Sequence, residues 1–235
     1  MHSPRDALRA PARPGHAAQM LRACLDLLLP GECAGCGGRA ESAICVGCRA
    51  RLGPPRVAAG PSGVAVLASC ADWDGELRRM VLAFKERGRG GLAAPLGAAL
   101  AGAVAALDLE PGALSLVPVP SRPAARRARG HDPTARLAGC AARTLRRRGR
   151  MVHLAPVLTH IRDVRDQTGL TAVARRANLA GAMQAGRFGA LPSRVVLLDD
   201  VCTTGATLSE AARALRAVGA HPIGAVVLGF ARPPR

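Results

Sequence analysis

The sequence predicts an α/β protein, a parallel sheet flanked by helices, with a small cysteine-bound module at its amino-terminal end. Three observations carry this. From residue 64 onward, apolar strand-like runs alternate with helical patterns, which implies a parallel sheet with crossover helices. The run Val195-Val196-Leu197-Leu198 is continuously apolar, as a strand buried on both faces requires. Two cysteine pairs, Cys33-x-x-Cys36 and Cys45-x-x-Cys48, stand close together ahead of the first strand.

The chain has 235 residues, enough for one substantial domain and a small module. Residues 1–16 are rich in Pro, Arg and Ala and read as a disordered extension. Ala17 to Leu29 reads as an apolar helix interrupted by Arg22 and Asp26, and the module runs on to residue 53. Those charges and the lack of a cleavage site argue against an export signal, and no stretch is long and apolar enough to span a membrane. The expected location is cytoplasmic. Pro54, Pro55 and Pro61 mark a linker, and residues 62–232 form the main domain.

Within that domain, Val64 to Ser69 reads as a strand. Gly75 to Arg87 reads as a helix with Leu77, Met80, Val81 and Phe84 on its apolar face. Leu92 to Leu107 is an Ala-rich helix, and Ala113 to Val117 a strand. It leads through Pro118-Val119-Pro120-Ser121-Arg122-Pro123 into the basic Arg126, Arg127 and Arg129-Gly130. Thr134 to Arg148 is helical, and its arginine-rich end complements the helix dipole. Thr159 to Ala180 is polar and Arg-rich, and Ile223 to Phe230 is the last strand.

Chemistry concentrates after Leu198. Asp199 and Asp200 are followed by Val201-Cys202-Thr203-Thr204-Gly205-Ala206-Thr207, and then by a helix with Leu208, Ala211, Ala212 and Leu215 on one face. The loop therefore joins a strand's carboxyl end to a helix's amino end. Free N–H groups there suit a phosphate, and Gly205 lets the backbone approach it. The threonines add hydroxyl donors. Adjacent carboxylates repel a phosphate but accept hydrogen bonds from a diol. Diol and phosphate side by side describe a ribose 5-phosphate.

The four cysteines, with glycines permitting tight turns, form a candidate four-thiolate site that favours structural zinc. An iron–sulfur cluster and a pair of disulfides are the alternatives. Cys24, Cys70 and Cys140 read as small buried hydrophobes, while Cys202 lies in the loop, open to alkylation or oxidation.

A net charge of +17 points to anionic partners, phosphorylated metabolites or nucleic acid. Aromatic residues make up only 2%, which argues against base stacking as a grip on nucleic acid. Lys85 is the only lysine, which hints at a need for a compact ammonium.

The segment from Val195 to Thr207 resembles the 5-phosphoribosyl-1-pyrophosphate (PRPP) loop of type I phosphoribosyltransferases. The order of features, from the cysteine pairs to this loop, resembles the ComF-type proteins of bacterial competence over about Leu21 to Phe230. Phe84-Lys85, Val117-Pro118-Val119-Pro120 with Arg129-Gly130, and Gln167-x-x-Leu170 with Arg175 and Asn178 add to the match. The glutamine-dependent amidophosphoribosyltransferases look similar in part of this half. The resemblance implies a type I phosphoribosyltransferase fold that binds PRPP with magnesium, Asp199 to Thr207 holding the phosphoribosyl group. It implies that Val119 to Arg122 meets pyrophosphate and that Arg162 to Asn178 forms a hood. Lys85, Pro120, Ser121, Arg122, Arg129, Arg162, Gln167 and Arg175 are then the pyrophosphate and hood candidates. It also implies single-stranded DNA and competence proteins as partners; a PRPP sensor without turnover and a nucleic-acid-binding protein are the alternatives. No residue presents itself as a base for an acceptor. The chain departs from the pattern at His131-Asp132-Pro133, where an aromatic, Asn and Gln are usual, and at Met183, where an aromatic is common.

Overall fold

The structure, a computed structural model, describes residues 31–162, 164, 172–187, 189 and 191–231. The readings made on residues 1–30, Gln167 and Leu170 lie outside these, as does the side chain of Arg175.

The module consists of an antiparallel ribbon, β1 (Gly31–Glu32) with β2 (Arg39–Ala40), followed by a short helix α1 (Val46–Ala50). Strand β3 (Arg56–Ala59) follows, then β4 (Val66–Asp72) and helix α2 (Gly75–Glu86). Asp74 starts α2 by accepting the Leu77 N–H at 3.0 Å. A 3₁₀ turn (Gly90–Leu92) leads into α3 (Ala93–Ala106), then β5 (Leu114–Pro118) and α4 (Pro123–Arg129). Helix α5 (Pro133–Arg147) precedes β6 (Val152–Leu154). Strands β7 (Leu158–His160) and β8 (Met183–Ala185) form a second antiparallel ribbon, with α6 (Ala172–Leu179) between them in sequence. The chain continues with β9 (Arg194–Cys202), α7 (Ala206–Arg216) and β10 (His221–Phe230).

Six strands form one sheet in the order β3-β4-β10-β9-β5-β6, parallel throughout except for β3. Period-two alternation along β9 splits its side chains between two cores. Val196 and Leu198 join Ala68, Cys70, Leu116 and Leu228 beneath α2, α3 and α5. Val195 and Leu197 join Leu67, Val117, Ala225 and Val227 beneath α7. Each fully buried Leu or Val contributes roughly 1.5–3 kcal/mol. With so few aromatics, the layers close by approaching one another. A Cβ on Gly97 of α3 would lie 2.3 Å from the Cys140 Cβ of α5.

Two differences from the sequence reading have simple causes. Residues 56–59 lie where the prolines suggested a linker, yet they pair with β4 as an edge strand. All four are exposed, so no hydrophobic alternation betrays them. Strand β9 also runs past the acid pair, because β10 keeps pairing with it as far as Phe230 opposite Cys202. Asp199 and Asp200 thus lie inside the strand, not just beyond it.

The cysteine module shares the main core. Cys33, Ile44, Cys48 and Leu52 are buried in one cluster with Leu77, Met80 and Phe84 of α2. Arg79 of α2 donates to the Gly35 carbonyl, and Arg89 donates to the Glu32 carbonyl at 2.6 Å. Among the described residues, no helix is long and apolar enough to cross a membrane.

From β5 the chain moves to β6 at one edge, whereas from β9 it moves the other way to β10. The carboxyl ends of β5 and β9 therefore flank a topological switch point, where open α/β sheets form a ligand crevice.

Candidate phosphoribosyl site

Asp199 and Asp200 stand next to each other near the carboxyl end of β9, at this switch point. Both are buried, at 9% and 7% exposure. The Asp200 N–H donates to Asp199 Oδ1 at 2.8 Å. Lys85, one residue from the end of α2, reaches across and pairs with Asp200 Oδ2. The two acids consequently titrate apart. Burial and the neighbouring Asp200 charge push the Asp199 carboxyl well above the usual range. Burial also opposes ionisation of Asp200. The Lys85 charge and the hydrogen bonds from Asp199 and Lys85 outweigh it and hold Asp200 below its ordinary value.

A glycine turn follows β9 and leads into α7. Gly205 has φ +74°, and its Cβ position lies 2.5 Å from the Pro61 Cβ, so both backbone and space demand glycine. No side chain caps α7 from Gly205, although Thr204 Oγ1 accepts the Ala206 N–H at 3.4 Å. Thr203 is exposed and Thr204, Thr207 and Val201 are half-buried, while Ala206 is buried. Cys202 corrects the sequence reading: it is 4% exposed within the core under α7. Burial, aided by Asp199, pushes its thiol up to about 11, so it is no ready nucleophile.

The loop after β5 lies beside the acids, because the Val119 N–H donates to the Leu198 carbonyl at 2.8 Å. Ser121 is held by Asp132, which accepts its backbone N–H at 2.9 Å and its hydroxyl at 3.1 Å. The same carboxylate caps α5 through the Thr134 and Ala135 N–H groups. In the unusual His131-Asp132-Pro133 segment, Asp132 therefore sets the loop and Pro133 occupies the first turn of α5. His131 is exposed, with Nδ1 3.1 Å from the Arg129 carbonyl. Arg122 precedes α4, and Arg129 at its far end grips Glu86 at 2.5 and 3.2 Å, next to Lys85. Arg162 donates to the Asn178 and Ala180 carbonyls at 2.9 and 2.7 Å and so closes the end of α6.

Sequence reasoning missed three residues here. His160 Nε2 lies 3.2 Å from the Pro120 carbonyl and ties the β7–β8 ribbon to the β5 loop. Burial lowers its pKa, and its Nδ1 is buried without a hydrogen-bond partner. A lone His in an Arg-rich stretch carries no sequence signal. Glu210 of α7, 5% exposed, accepts the Met183 N–H at 3.0 Å and two bonds from Arg213 at 2.8 Å. Arg213 in turn donates to the Met183 carbonyl at 2.8 Å, so the pair fastens that ribbon to α7. Their i, i+3 spacing was the available hint.

The four sulfurs of Cys33, Cys36, Cys45 and Cys48 all lie within 4.8 Å of one another, with Cys36 and Cys45 at 3.8 Å. A tetrahedral zinc with bonds of about 2.3 Å spaces its thiolates by roughly this much. Cys33 Sγ accepts the N–H groups of Gly35 and Cys45 at 3.4 and 3.3 Å, and Cys45 Sγ that of Cys48 at 3.4 Å. Burial opposes the Cys33 thiolate, but these bonds bring its pKa down to about 6. The cluster fits a small zinc module. No disulfide joins these four cysteines.

No curated protein matches the chain. Residues 152–233, from β6 to just beyond β10, match the family model of the phosphoribosyl transferase domain. Strands β4 and β5 and helix α2, which supply Lys85 and the Val119–Arg122 loop, precede the matched segment. The matched part of the chain, which carries the acid pair and its glycine loop, is similar to a phosphoribosyl transferase domain.

Proposed function

We propose that the protein is a ComF-type phosphoribosyltransferase that binds PRPP with Mg²⁺ and transfers its phosphoribosyl group to an acceptor. One observation carries this: a buried acid pair and a glycine loop at a helix amino end share one crevice, in a segment of matching family. Asp199 and Asp200 orient the ribose diol. The backbone from Thr203 to Thr207 and its hydroxyls receive the 5-phosphate. Ser121 and Arg122 face the pyrophosphate, whose departing charge a guanidinium stabilises. Arg129, held by Glu86, places α4 against α2. The hood roles of Gln167 and Arg175 rest on the resemblance alone. Asp200 is already paired with Lys85, so magnesium, when bound with PRPP, would be held mainly by ligand oxygens and water and would supply charge neutralisation at the pyrophosphate.

Calorimetric titration with PRPP and Mg²⁺ tests the reading, beside a variant carrying Asp199→Asn and Asp200→Asn. Binding by the wild type that the variant loses is expected. Absence of wild-type binding sinks the proposal.

A second reading, a role with single-stranded DNA during uptake beside competence proteins, draws on α4. None of its residues is buried, and Arg126 and Arg127 are exposed. Such contacts would be to phosphates, so affinity should fall steeply with salt yet survive Asp199→Asn. A PRPP sensor would bind the ligand and release no pyrophosphate with any acceptor.

A further inference from the structure

We infer that Lys85 is a positioning residue that holds the Asp199–Asp200 pair at a single negative charge, so that a ligand diol meets one carboxylate and one carboxylic acid. The inference rests on the phosphoribosyl reading for the ligand, but its charge assignment rests on the protein alone. Two carboxyls lie side by side in the strand, both more than nine-tenths buried. A buried, unpaired carboxylate is costly, and two adjacent ones repel. Among the described residues, the cation that pairs with them is Lys85, on Asp200. Among the described residues, the charged groups acting on the pair are each other and Lys85, with the thiol of Cys202 farther along the same strand. One ammonium balances one carboxylate, so Asp200 stays ionised and Asp199 keeps its proton.

This resolves a conflict in the site. A doubly charged pair beside a phosphate loop would repel the phosphate that the loop is built to take. Lys85, Asp200 carboxylate and protonated Asp199 sum to zero. The site then recognises a diol with both an acceptor and a donor and adds no negative charge next to the phosphate. Direction matters as well. Lys85 lies on the Asp200 side, and the Asp200 N–H donates to Asp199 Oδ1. Asp199 Oδ2 is therefore the oxygen that carries the proton.

Infrared spectroscopy of the ligand-free protein at pH 7 tests this, because ordinary carboxyls are ionised there and a protonated one shows a separate carbonyl stretch. The wild type should show one such band, shifted by deuteration. Asp199→Asn should abolish it. Lys85→Met, which removes the paired ammonium, should double its intensity, whereas Lys85→Arg should keep a single band. A wild type without the band overturns the inference, and so does a band of unchanged intensity in Lys85→Met. The Lys85→Arg spectrum guards against misfolding of the methionine variant: loss of its band likewise overturns it. Failure of PRPP to bind a wild type that shows the band would sink the phosphoribosyl reading and leave the charge assignment standing.

Discussion

Asp132 holds Ser121 by both of its donors while capping α5 with the same carboxylate. The loop after β5 and the start of α5 are thereby one unit, built on a residue pattern that departs from the family resemblance.

That unit can be split by substitution. Asp132→Ala removes the cap, costing about 1 kcal/mol, and frees Ser121. Asp132→Asn keeps an oxygen for the cap but turns an N–H donor toward the Ser121 N–H. We expect Asp132→Asn to unfold close to the wild type in urea, and both variants to bind PRPP more weakly in calorimetric titration. Undiminished binding by both would show that the loop does not touch the ligand.

Gly205→Ala should be harmful beyond its size. A left-handed alanine costs roughly 1–2 kcal/mol, and its Cβ would meet Pro61 at 2.5 Å. The loop must shift away from its neighbour, so PRPP affinity should fall further than the urea midpoint does. Equal, small losses in both would mean that the loop geometry is not needed by the ligand.

Glu210 ties acid sensitivity to the β7–β8 ribbon. Burial pushes its carboxyl up, but the Arg213 bonds and the Met183 and Gly181 N–H groups outweigh it and hold the pKa below 4.5. A depressed carboxyl contributes stability that is present above the unfolded value and lost as pH falls through the folded one. Stability should therefore decline below about pH 4.5, and Glu210→Gln should flatten this limb. At pH 7 the same variant should lose about 1–3 kcal/mol, tempered because Arg213 is half exposed. Urea titrations across pH 3 to 7 would show it.

The cysteines should separate by burial. In the folded protein at pH 8, Cys202 should resist iodoacetamide, since its thiol is buried and raised to about 11. Once a chelator has removed metal, exposed Cys36 should react. Because Cys33 and Cys48 share the core of α2, chelation should also lower the melting temperature of the whole protein rather than of a fragment. Mass spectrometry of the alkylated peptides and a thermal melt read the two effects, and fast labelling of Cys202 in the native state would contradict its burial.

The sequence by itself determined the features that are local. The apolar run of β9, the acid pair, the glycine loop and the paired cysteines are each set within a few residues, by periodicity, by backbone freedom or by ligand spacing. Tertiary structure decided which of these meet. Lys85 finds Asp200, His160 finds Pro120 and Arg129 finds Glu86 because crossover direction places particular helices and ribbons over particular strand ends. No spacing encodes such meetings, since any ammonium on any helix has the same local pattern. Short strands such as β3 and β6 were hidden for a related reason: backbone N–H and C=O groups, which every sequence supplies, hold them in place. Burial of Cys202 followed from β9 running on beside β10, a pairing between distant segments that turned an expected loop thiol into part of the core.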